Sequence, residues 1–173
     1  MSDLGAALLA LARAAIEGRD VDFPLPELDA PGATFVTLTR DGRLRGCIGS
    51  LEARRPLRED VAYNARAAAF RDPRFKPLRR DEFGDVRIEV SLLTEPVEVP
   101  VSSEEDAVAS LQPGSGYVLE WAGRKGTFLP QVWEQLPEAD AFWSRLRVKA
   151  GFPEGFWSPE VRLKRYEVRS WSE

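Results

Sequence analysis

The sequence predicts an α+β fold in which a mixed or antiparallel sheet is flanked by helices, and three observations support this prediction. Residues 4–16 and 56–70 carry apolar side chains at helical spacing. Residues 86–93 alternate apolar and polar side chains, which is typical of a half-buried strand. Asp41-Gly42 is a strong signal for a type I′ turn between two antiparallel strands.

Composition and charge restrict the class of protein. The chain has 173 residues, of which 43% are hydrophobic and 30% are charged, so it suits one globular domain, alone or with a small lobe. A net charge of −4 argues against a general nucleic-acid binder. A single cysteine excludes an internal disulfide and favours a reducing compartment, so we expect a cytoplasmic protein.

The N-terminal segment predicts a helix over residues 4–16, with Ser2 or Asp3 as its cap and Gly18 at its end. No basic residue precedes this segment and Arg13 interrupts it, so neither a signal peptide nor a membrane span is expected. The predicted buried face consists of Leu4, Leu8, Leu11 and Ala15. Prolines then exclude a helix up to the strand predicted over residues 33–39.

The hairpin turn leads into a returning strand over residues 43–50, which carries the sequence LRGCIGS. Cys47 therefore lies in a strand between Gly46 and Gly49. The elements predicted after this strand are a helix over 56–70, strands over 86–93 and 97–101, a helical turn from Ser103 to Leu111, a strand over 117–121, a turn over 122–126, a strand over 127–129, a helix over 130–136, a helix over 141–150 capped by Asp140, and a closing strand over 161–170.

The absence of histidine removes several kinds of catalytic site. Neither a Ser-His-Asp triad nor a Cys-His pair is available, and zinc sites built from several Cys and His ligands are excluded. The sequence also lacks a Walker loop and a GxGxxG motif, and no acidic cluster has the spacing of a cation site. The sequence thus implies no particular cofactor, and a site for a hard cation made of carboxylates is only a weak alternative to the absence of a metal site. The remaining reactive group is the thiol of Cys47.

Two interpretations of Cys47 follow from its neighbours. The flanking glycines permit a close approach by a ligand or by another backbone segment. In an extended strand Arg45 points to the same face as Cys47, where its charge would favour the thiolate. A buried structural cysteine in a glycine-rich strand under a helix is the alternative.

Other residues are candidates for a site around this thiol. Glu89 and Ser91 share one strand face and offer a base and a hydrogen bond, and an exposed sheet face is the alternative explanation. Thr127 and Gln131 flank the TFLP segment, where core packing is the alternative. The remaining candidates for ligand binding lie in the cysteine strand: Leu44, Gly46, Ile48 and Gly49. Further residues that follow the cysteine strand are named with the same site, and capping and surface salt bridges are the alternative for them: Asn64, Arg66, Asp72, Arg74 and Phe75.

Five segments resemble the AMMECR1 domain family in order and spacing. They are LRGCIGS, RPLREDVAYNARAAAFRDPRFKPL, IEVSLL, GTFLPQVW and VKAGFP, and together they extend over most of the chain. Within this family the chain resembles the stand-alone prokaryotic group called AmmeMemoRadiSam system protein A. Arg147 stands where many members carry a cysteine, so a two-cysteine redox pair is not available here.

The resemblance implies an α+β fold with a larger and a smaller lobe within one domain, residues 1–173, and a cleft at the LRGCIG segment. It also implies a Memo-like protein and a radical-SAM-like protein as partners. The first hypothesis is an enzyme or enzyme component that acts on a small molecule at Cys47, with Cys47, Arg45 and Glu89 as catalytic candidates.

Two further hypotheses remain open at the level of sequence. A non-catalytic interaction module would use the LRGCIG hairpin or an exposed aromatic residue to dock onto those partners. Nucleic-acid binding is the weakest hypothesis, and its candidate residues are Arg54, Arg55, Arg58, Arg79 and Arg80. The oligomeric state is not predicted by the sequence.

Overall fold

A computed structural model describes residues 3–173 and contains five α-helices and nine β-strands within them. The helices are α1 (Asp3–Glu17), α2 (Leu57–Phe70), α3 (Glu104–Ser110), α4 (Val132–Gln135) and α5 (Ala139–Lys149). The strands are β1 (Pro31–Arg40), β2 (Arg43–Gly49), β3 (Arg55–Pro56), β4 (Val86–Leu93), β5 (Val97–Val99), β6 (Gly116–Trp121), β7 (Arg124–Phe128), β8 (Arg162–Tyr166) and β9 (Val168–Ser172). In the described part of the chain, no helix is long and apolar enough to cross a membrane.

These elements form two compact units, and each unit has its own sheet and hydrophobic core. The first unit extends to Leu93 and includes Arg169–Glu173, and its sheet has the strand order β2-β1-β4-β9, with β3 paired to the start of β1. The second unit is Thr94–Val168, and its sheet has the order β5-β8-β6-β7. The predicted α+β class is confirmed, with two antiparallel sheets in place of the single expected sheet.

The hairpin between β1 and β2 forms as predicted because both turn residues have positive φ, 51° at Asp41 and 74° at Gly42. Its register places Thr37 opposite Cys47. A β-bulge interrupts the pairing next to this site, because Leu38 pairs with Gly46 whereas Thr39 pairs with Leu44. The bulge leaves the intervening Arg45 without a partner on β1.

Helices α1 and α2 cover one face of the first sheet. The core residues contributed by strands β1 and β4 are Val36, Leu38, Val86, Ile88 and Val90. Gly46 permits a close approach between sheet and helix, since a Cβ at this position would overlap the carbonyl oxygen of Ala68 in α2. Helix α1 ends at Gly18 as predicted, with a φ of 70° there, whereas Ser2 lies outside the described residues.

Aromatic side chains fill the core of the second unit. The Trp133 and Phe142 rings stack with their centroids 3.9 Å apart and an interplanar angle of 7°. Tyr117 packs edge-on against the same phenylalanine, at a centroid distance of 5.9 Å. Trp143 is also buried in this core, so these tryptophans fill the interior of the unit.

Three predicted boundaries are corrected by the structure. The closing strand is interrupted at Glu167, whose N–H and carbonyl bind Thr94, so β8 joins the second sheet and β9 the first. Helix α5 starts before Asp140, which lies in its first turn, and Glu138 is the N-cap residue. The turn after β6 contains only two residues of positive φ, Ala122 and Gly123, so β7 begins earlier than expected.

Replacement of Gly46 by alanine tests the contact between β2 and α2. We expect G46A to lower the free energy of unfolding by about 1–3 kcal/mol, because the added methyl group meets rigid helix backbone. Urea unfolding followed by circular dichroism measures this change. G84A is the matched control, since a Cβ at Gly84 meets no atom within 4 Å. Equal stability of the two variants would contradict the described packing.

Candidate functional site

Cys47 lies on the face of the first sheet that points away from helices α1 and α2. Its neighbours Gly46 and Ile48 face the helix layer, so the alternation along β2 directs the Cys47 side chain to the opposite face. The thiol is half-buried, and its sulfur lies 3.3 Å from the hydroxyl oxygen of Thr37 on β1. Cys47 is therefore separate from the hydrophobic core of its unit.

Two side chains bind the backbone of Cys47 on the outer edge of β2. The Cys47 N–H donates to Oδ2 of Asp72 at 3.0 Å, and Nη2 of Arg74 donates to the Cys47 carbonyl oxygen at 3.4 Å. Arg74 also binds the Asp72 carboxylate through both oxygens, at 3.0 and 2.7 Å. We call this arrangement the Asp72–Arg74 clamp. It satisfies the backbone groups that a further strand would otherwise bind.

The clamp also explains why the thiol meets the Thr37 hydroxyl. The N–H and C=O groups of one residue in a strand point the same way, and at Cys47 they point to the outer edge. The Thr37–Cys47 pair is then a non-hydrogen-bonded pair of the antiparallel ladder, in which facing side chains approach most closely. The backbone contacts of the clamp thus fix the direction of the thiol.

The ion pair between Asp72 and Arg74 keeps both side chains of the clamp charged. Asp72 is only 4% exposed, and the hydrogen bond from Arg74 holds the pKa of its carboxyl well below the usual value, with a further contribution from the Cys47 N–H. The hydrogen bonds that Arg74 donates to Asp72 raise the pKa of Arg74, and the charge interactions with Asp72 and Cys47 add to this effect. Arg74 is thus a permanent cation close to the thiol.

Arg45 occupies a different environment from the one expected. Its guanidinium binds the carboxylate of Glu82 at 3.3 and 3.4 Å and the carbonyl oxygen of Lys76 at 2.9 Å. The bulge in β2 interrupts the alternation on which its predicted orientation depended. Its predicted pairing with the thiol is replaced by these contacts, and a catalytic role for Arg45 stays a prediction.

Glu82 is buried and accepts several hydrogen bonds at this end of β2. The backbone N–H of Arg79 donates to its carboxylate at 2.8 Å, and Arg40 donates at 2.9 Å. The Arg79 N–H is the main cause that lowers the pKa of Glu82, followed by Arg45, while burial opposes the shift. The carboxylate therefore carries its negative charge at neutral pH.

A third carboxylate, Asp60 of α2, holds the residue that follows β2. The Ser50 hydroxyl donates to its Oδ1 at 2.8 Å, and Thr34 donates its N–H and hydroxyl to Oδ2 at 2.8 and 2.7 Å. Arg55 forms an ion pair with the same group at 3.2 Å, and Asn64 donates to the Thr34 carbonyl oxygen. Asp60 and Asn64 thus belong to a buried network rather than to surface capping.

Polar side chains from neighbouring strands lie side by side with the thiol on the open face of the sheet, which is the face that helices α1 and α2 do not cover. Thr37 pairs with Cys47 on one side and with Glu89 on the other, and Glu89 accepts a hydrogen bond from Ser172 at 3.2 Å. We call Cys47, Thr37, Glu89 and Ser172 the polar row. Cys47 and Glu89 are two strands apart, about 10 Å between backbones, so a ligand over Thr37 is positioned to contact both.

The other candidates are distributed over several places. Ser91 lies on the same face as Glu89 but is buried and bound to Ser170 at 2.8 Å. Gly46 faces Ala68 in α2, and Gly49 accommodates the ring of Phe35. Ile48 packs on the core of the first unit, whereas Leu44 is exposed. Thr127 and Gln131 belong to the second unit, so their participation in a site with Cys47 stays a prediction.

Asp72 and Arg74 were named as residues that follow the cysteine strand, but their contact with the backbone of Cys47 was not predicted. The available signal was the Asp-Pro pair that ends α2, followed by an arginine two residues after the aspartate. That pattern predicts a local turn and ion pair, but it does not identify the strand that the pair contacts. Among residues 3–173, no group of three or more Asp, Glu or Cys side chains is arranged to hold a metal ion.

Comparisons with known proteins cover nearly the whole chain. The AMMECR1 family model matches residues 9–171. A protein from Saccharolobus islandicus strain L.S.2.15 is 36% identical over 180 residues, which cover 95% of this chain and 79% of the relative. A protein from Methanothermobacter thermautotrophicus is 36% identical over 183 residues, which cover 99% of this chain and 95% of the relative. The crystal structure of an uncharacterized protein from Pyrococcus horikoshii has a TM-score of 0.81 and 31% identity, and the match covers 100% of this chain and 93% of that one.

The clamp predicts a specific dependence of stability on pH. Because the pKa of Asp72 is lowered in the folded protein, its contribution is fully present above the unfolded value of about 3.9 and is lost as the pH falls towards the folded value. We expect D72N to be less stable than the wild type by about 1–3 kcal/mol at pH 7. This difference should shrink between pH 4 and pH 2, as measured by urea unfolding.

The control for this experiment is D81N, which breaks an exposed ion pair with Arg79. Exposed pairs contribute about 0–1 kcal/mol, so D81N should remain close to the wild type at every pH. A D72N deficit that does not change with pH would contradict the ionised clamp.

Proposed function

The chain belongs to the AMMECR1 family, and we propose that it is an enzyme or enzyme component that acts on a small molecule at Cys47. One observation carries this proposal. The thiol stands half-buried on a polar sheet face, outside the hydrophobic core, while its backbone is fixed by the Asp72–Arg74 clamp. Positioning of a reactive side chain by a rigid supporting shell is typical of catalytic sites.

The contacts of the clamp argue against a purely structural cysteine. A free cysteine that serves only packing is usually buried among apolar side chains. Here the sulfur lies at hydrogen-bond distance from the Thr37 hydroxyl, and the clamp binds backbone atoms that every residue except proline possesses. Neither contact requires a thiol for stability, so the chemistry of the sulfur is the better explanation of the residue.

Roles follow from the positions in the polar row. Cys47 is the reacting group, and the Thr37 hydroxyl orients the sulfur. Arg74 supplies positive charge beside it. Glu89, on the strand beyond Thr37, is available to bind a cationic or donor group of the ligand or to accept a proton.

Alkylation by iodoacetamide tests the proposed reactivity of the thiol. A carbon–sulfur bond forms, iodide leaves and the thiol proton passes to solvent, and the single cysteine makes every adduct assignable by mass spectrometry. We expect native protein to react at pH 8. T37V should react about two- to tenfold more slowly if the lost hydrogen bond contributes about 0.5–1.5 kcal/mol.

Two arginine variants sharpen this test. R74A should slow alkylation because it leaves the Asp72 carboxylate without its cation beside the sulfur. R45A should change the rate little, since its guanidinium binds Glu82 and Lys76. Reaction only after unfolding in urea would overturn the proposal and identify Cys47 as a structural residue.

A second candidate function, protein–protein interaction, is supported by exposed apolar side chains near both ends of strand β2. Leu44 is 44% exposed and Leu51 is 45% exposed. An exposed leucine near the start of β2 and another just after its end suit a docking surface, and the proposed partners are a Memo-like protein and a radical-SAM-like protein. In that case the LRGCIG hairpin is an interaction element.

Variants of these leucines test the interaction. We expect L44S with L51S to weaken binding to the purified Memo-like or radical-SAM-like protein at least roughly tenfold, measured by biolayer interferometry. V148S, which alters an exposed valine of the second unit, is the control. Absence of association between the wild-type proteins at micromolar concentration would exclude direct docking.

Ion pairing makes nucleic-acid binding the least favoured function. Four of the five arginines considered for it already bind carboxylates: Arg54 with Glu52, Arg55 with Asp60, Arg58 with Asp22 and Asp29, and Arg79 with Asp81. A guanidinium group that is already paired with a carboxylate attracts a phosphate less strongly than an unpaired one does.

A further inference from the structure

We propose that the outer surface of helix α2 holds a second binding site, which takes the phosphate group of a small phosphorylated molecule. The site is a shallow groove of about 440 Å³. The groove is lined by Leu11, Val21, Arg55, Arg58, Glu59, Ala62, Tyr63 and Arg66, and we call it the arginine–tyrosine groove. It lies on the helix side of the first unit, whereas the Cys47 thiol points away from the helices, so it is independent of the function proposed above.

Two guanidinium groups lie against one exposed tyrosine ring at the edge of this groove. The Cζ atoms of Arg55 and Arg71 are 4.2 and 4.9 Å from the ring centroid of Tyr63, which is 41% exposed. Each cation is attracted by the ring, but the two positive charges repel each other. An anion bound near Tyr63 would offset this positive charge.

The arginines of the site differ in how their charge is compensated. Arg55 binds the buried Asp60 through Nε, and Arg58 binds Asp22 and Asp29 outside the groove. Arg66 lines the groove and Arg71 lies against Tyr63 just outside the lining, and neither has a carboxylate partner among residues 3–173. The guanidinium group of Arg66 is therefore available to a ligand in the groove. Glu59 is the one carboxylate among the lining residues.

The chemistry of the groove selects its ligand. Guanidinium groups bind phosphate oxygens through paired hydrogen bonds, and Leu11, Val21 and Ala62 provide an apolar surface for the remainder of the molecule. A volume of this size suits one small ligand. The net charge of −4 opposes the approach of a polyanion, which favours a small phosphate ester over a nucleic-acid strand.

Isothermal titration calorimetry at low ionic strength tests the site with three probes: phenyl phosphate, inorganic phosphate and a single-stranded 20-mer oligonucleotide. We expect saturable binding of one phenyl phosphate per chain, tighter than that of inorganic phosphate because the groove also offers apolar contact. The oligonucleotide should bind more weakly per strand. Tighter binding of the oligonucleotide would overturn the assignment of a small molecule.

Variants locate the binding. R66A should weaken phenyl phosphate binding roughly tenfold, because it removes a charge-assisted pair of hydrogen bonds from a lining residue. R71A should weaken binding less than R66A, because Arg71 lies against Tyr63 outside the lining. R71K should weaken binding less than R71A, since lysine keeps the positive charge although it lacks the paired donors of the planar guanidinium group. R145A is the control, because Arg145 is an exposed arginine of the second unit without a carboxylate partner in the described chain.

C47S separates this site from the thiol site. It should bind phenyl phosphate as the wild type does, whatever the outcome of the alkylation experiments. Absence of saturable binding, or equal binding by wild type, R66A and R71A, would overturn the groove as a phosphate site.

Discussion

Strand β2 lies at an edge of the first sheet, so its outward N–H and C=O groups need partners other than a neighbouring strand. The Asp72–Arg74 clamp meets this need at Cys47 with one acceptor and one donor. Burial of Asp72 is tolerated because Arg74 and two backbone N–H groups compensate its charge. The exposed strand edge is thereby closed at the residue on which the proposed chemistry depends.

Three carboxylates bind strand β2 or the residue that follows it, and they hold the strand at three points along its length. Glu82 binds Arg45, Asp72 binds Cys47, and Asp60 binds Ser50 just after the strand. All three carboxylates come from the chain between the start of α2 and the start of β4, so one segment aligns the strand with both the helix layer and the sheet. Rigid alignment of this kind holds the open face in place without using the side chain of Cys47.

The sequence predicted local structure well wherever one residue type is required by the backbone. Positive φ at Asp41 and Gly42, and at Gly18, made the first hairpin and the end of α1 predictable. The bulge at Arg45 and the division of the last strand at Glu167 were not predictable, because both depend on partners distant in sequence. The same holds for Asp72. The sequence around it is that of an ordinary helix end, but its carboxylate accepts a hydrogen bond from the N–H of a strand residue 25 positions earlier.

The two glycines of the LRGCIG segment, Gly46 and Gly49, are both required by packing, one on each face of strand β2. Gly46 is required by the Ala68 carbonyl on the helix side, and Gly49 by the Phe35 ring on the open side. Their presence beside Cys47 is thus explained by packing, and it does not by itself indicate a ligand. Packing leaves one feature of the segment unexplained, which is a thiol placed against a hydroxyl on a polar face. The functional interpretation of the segment therefore depends on that sulfur, while the glycines and the clamp account for its position.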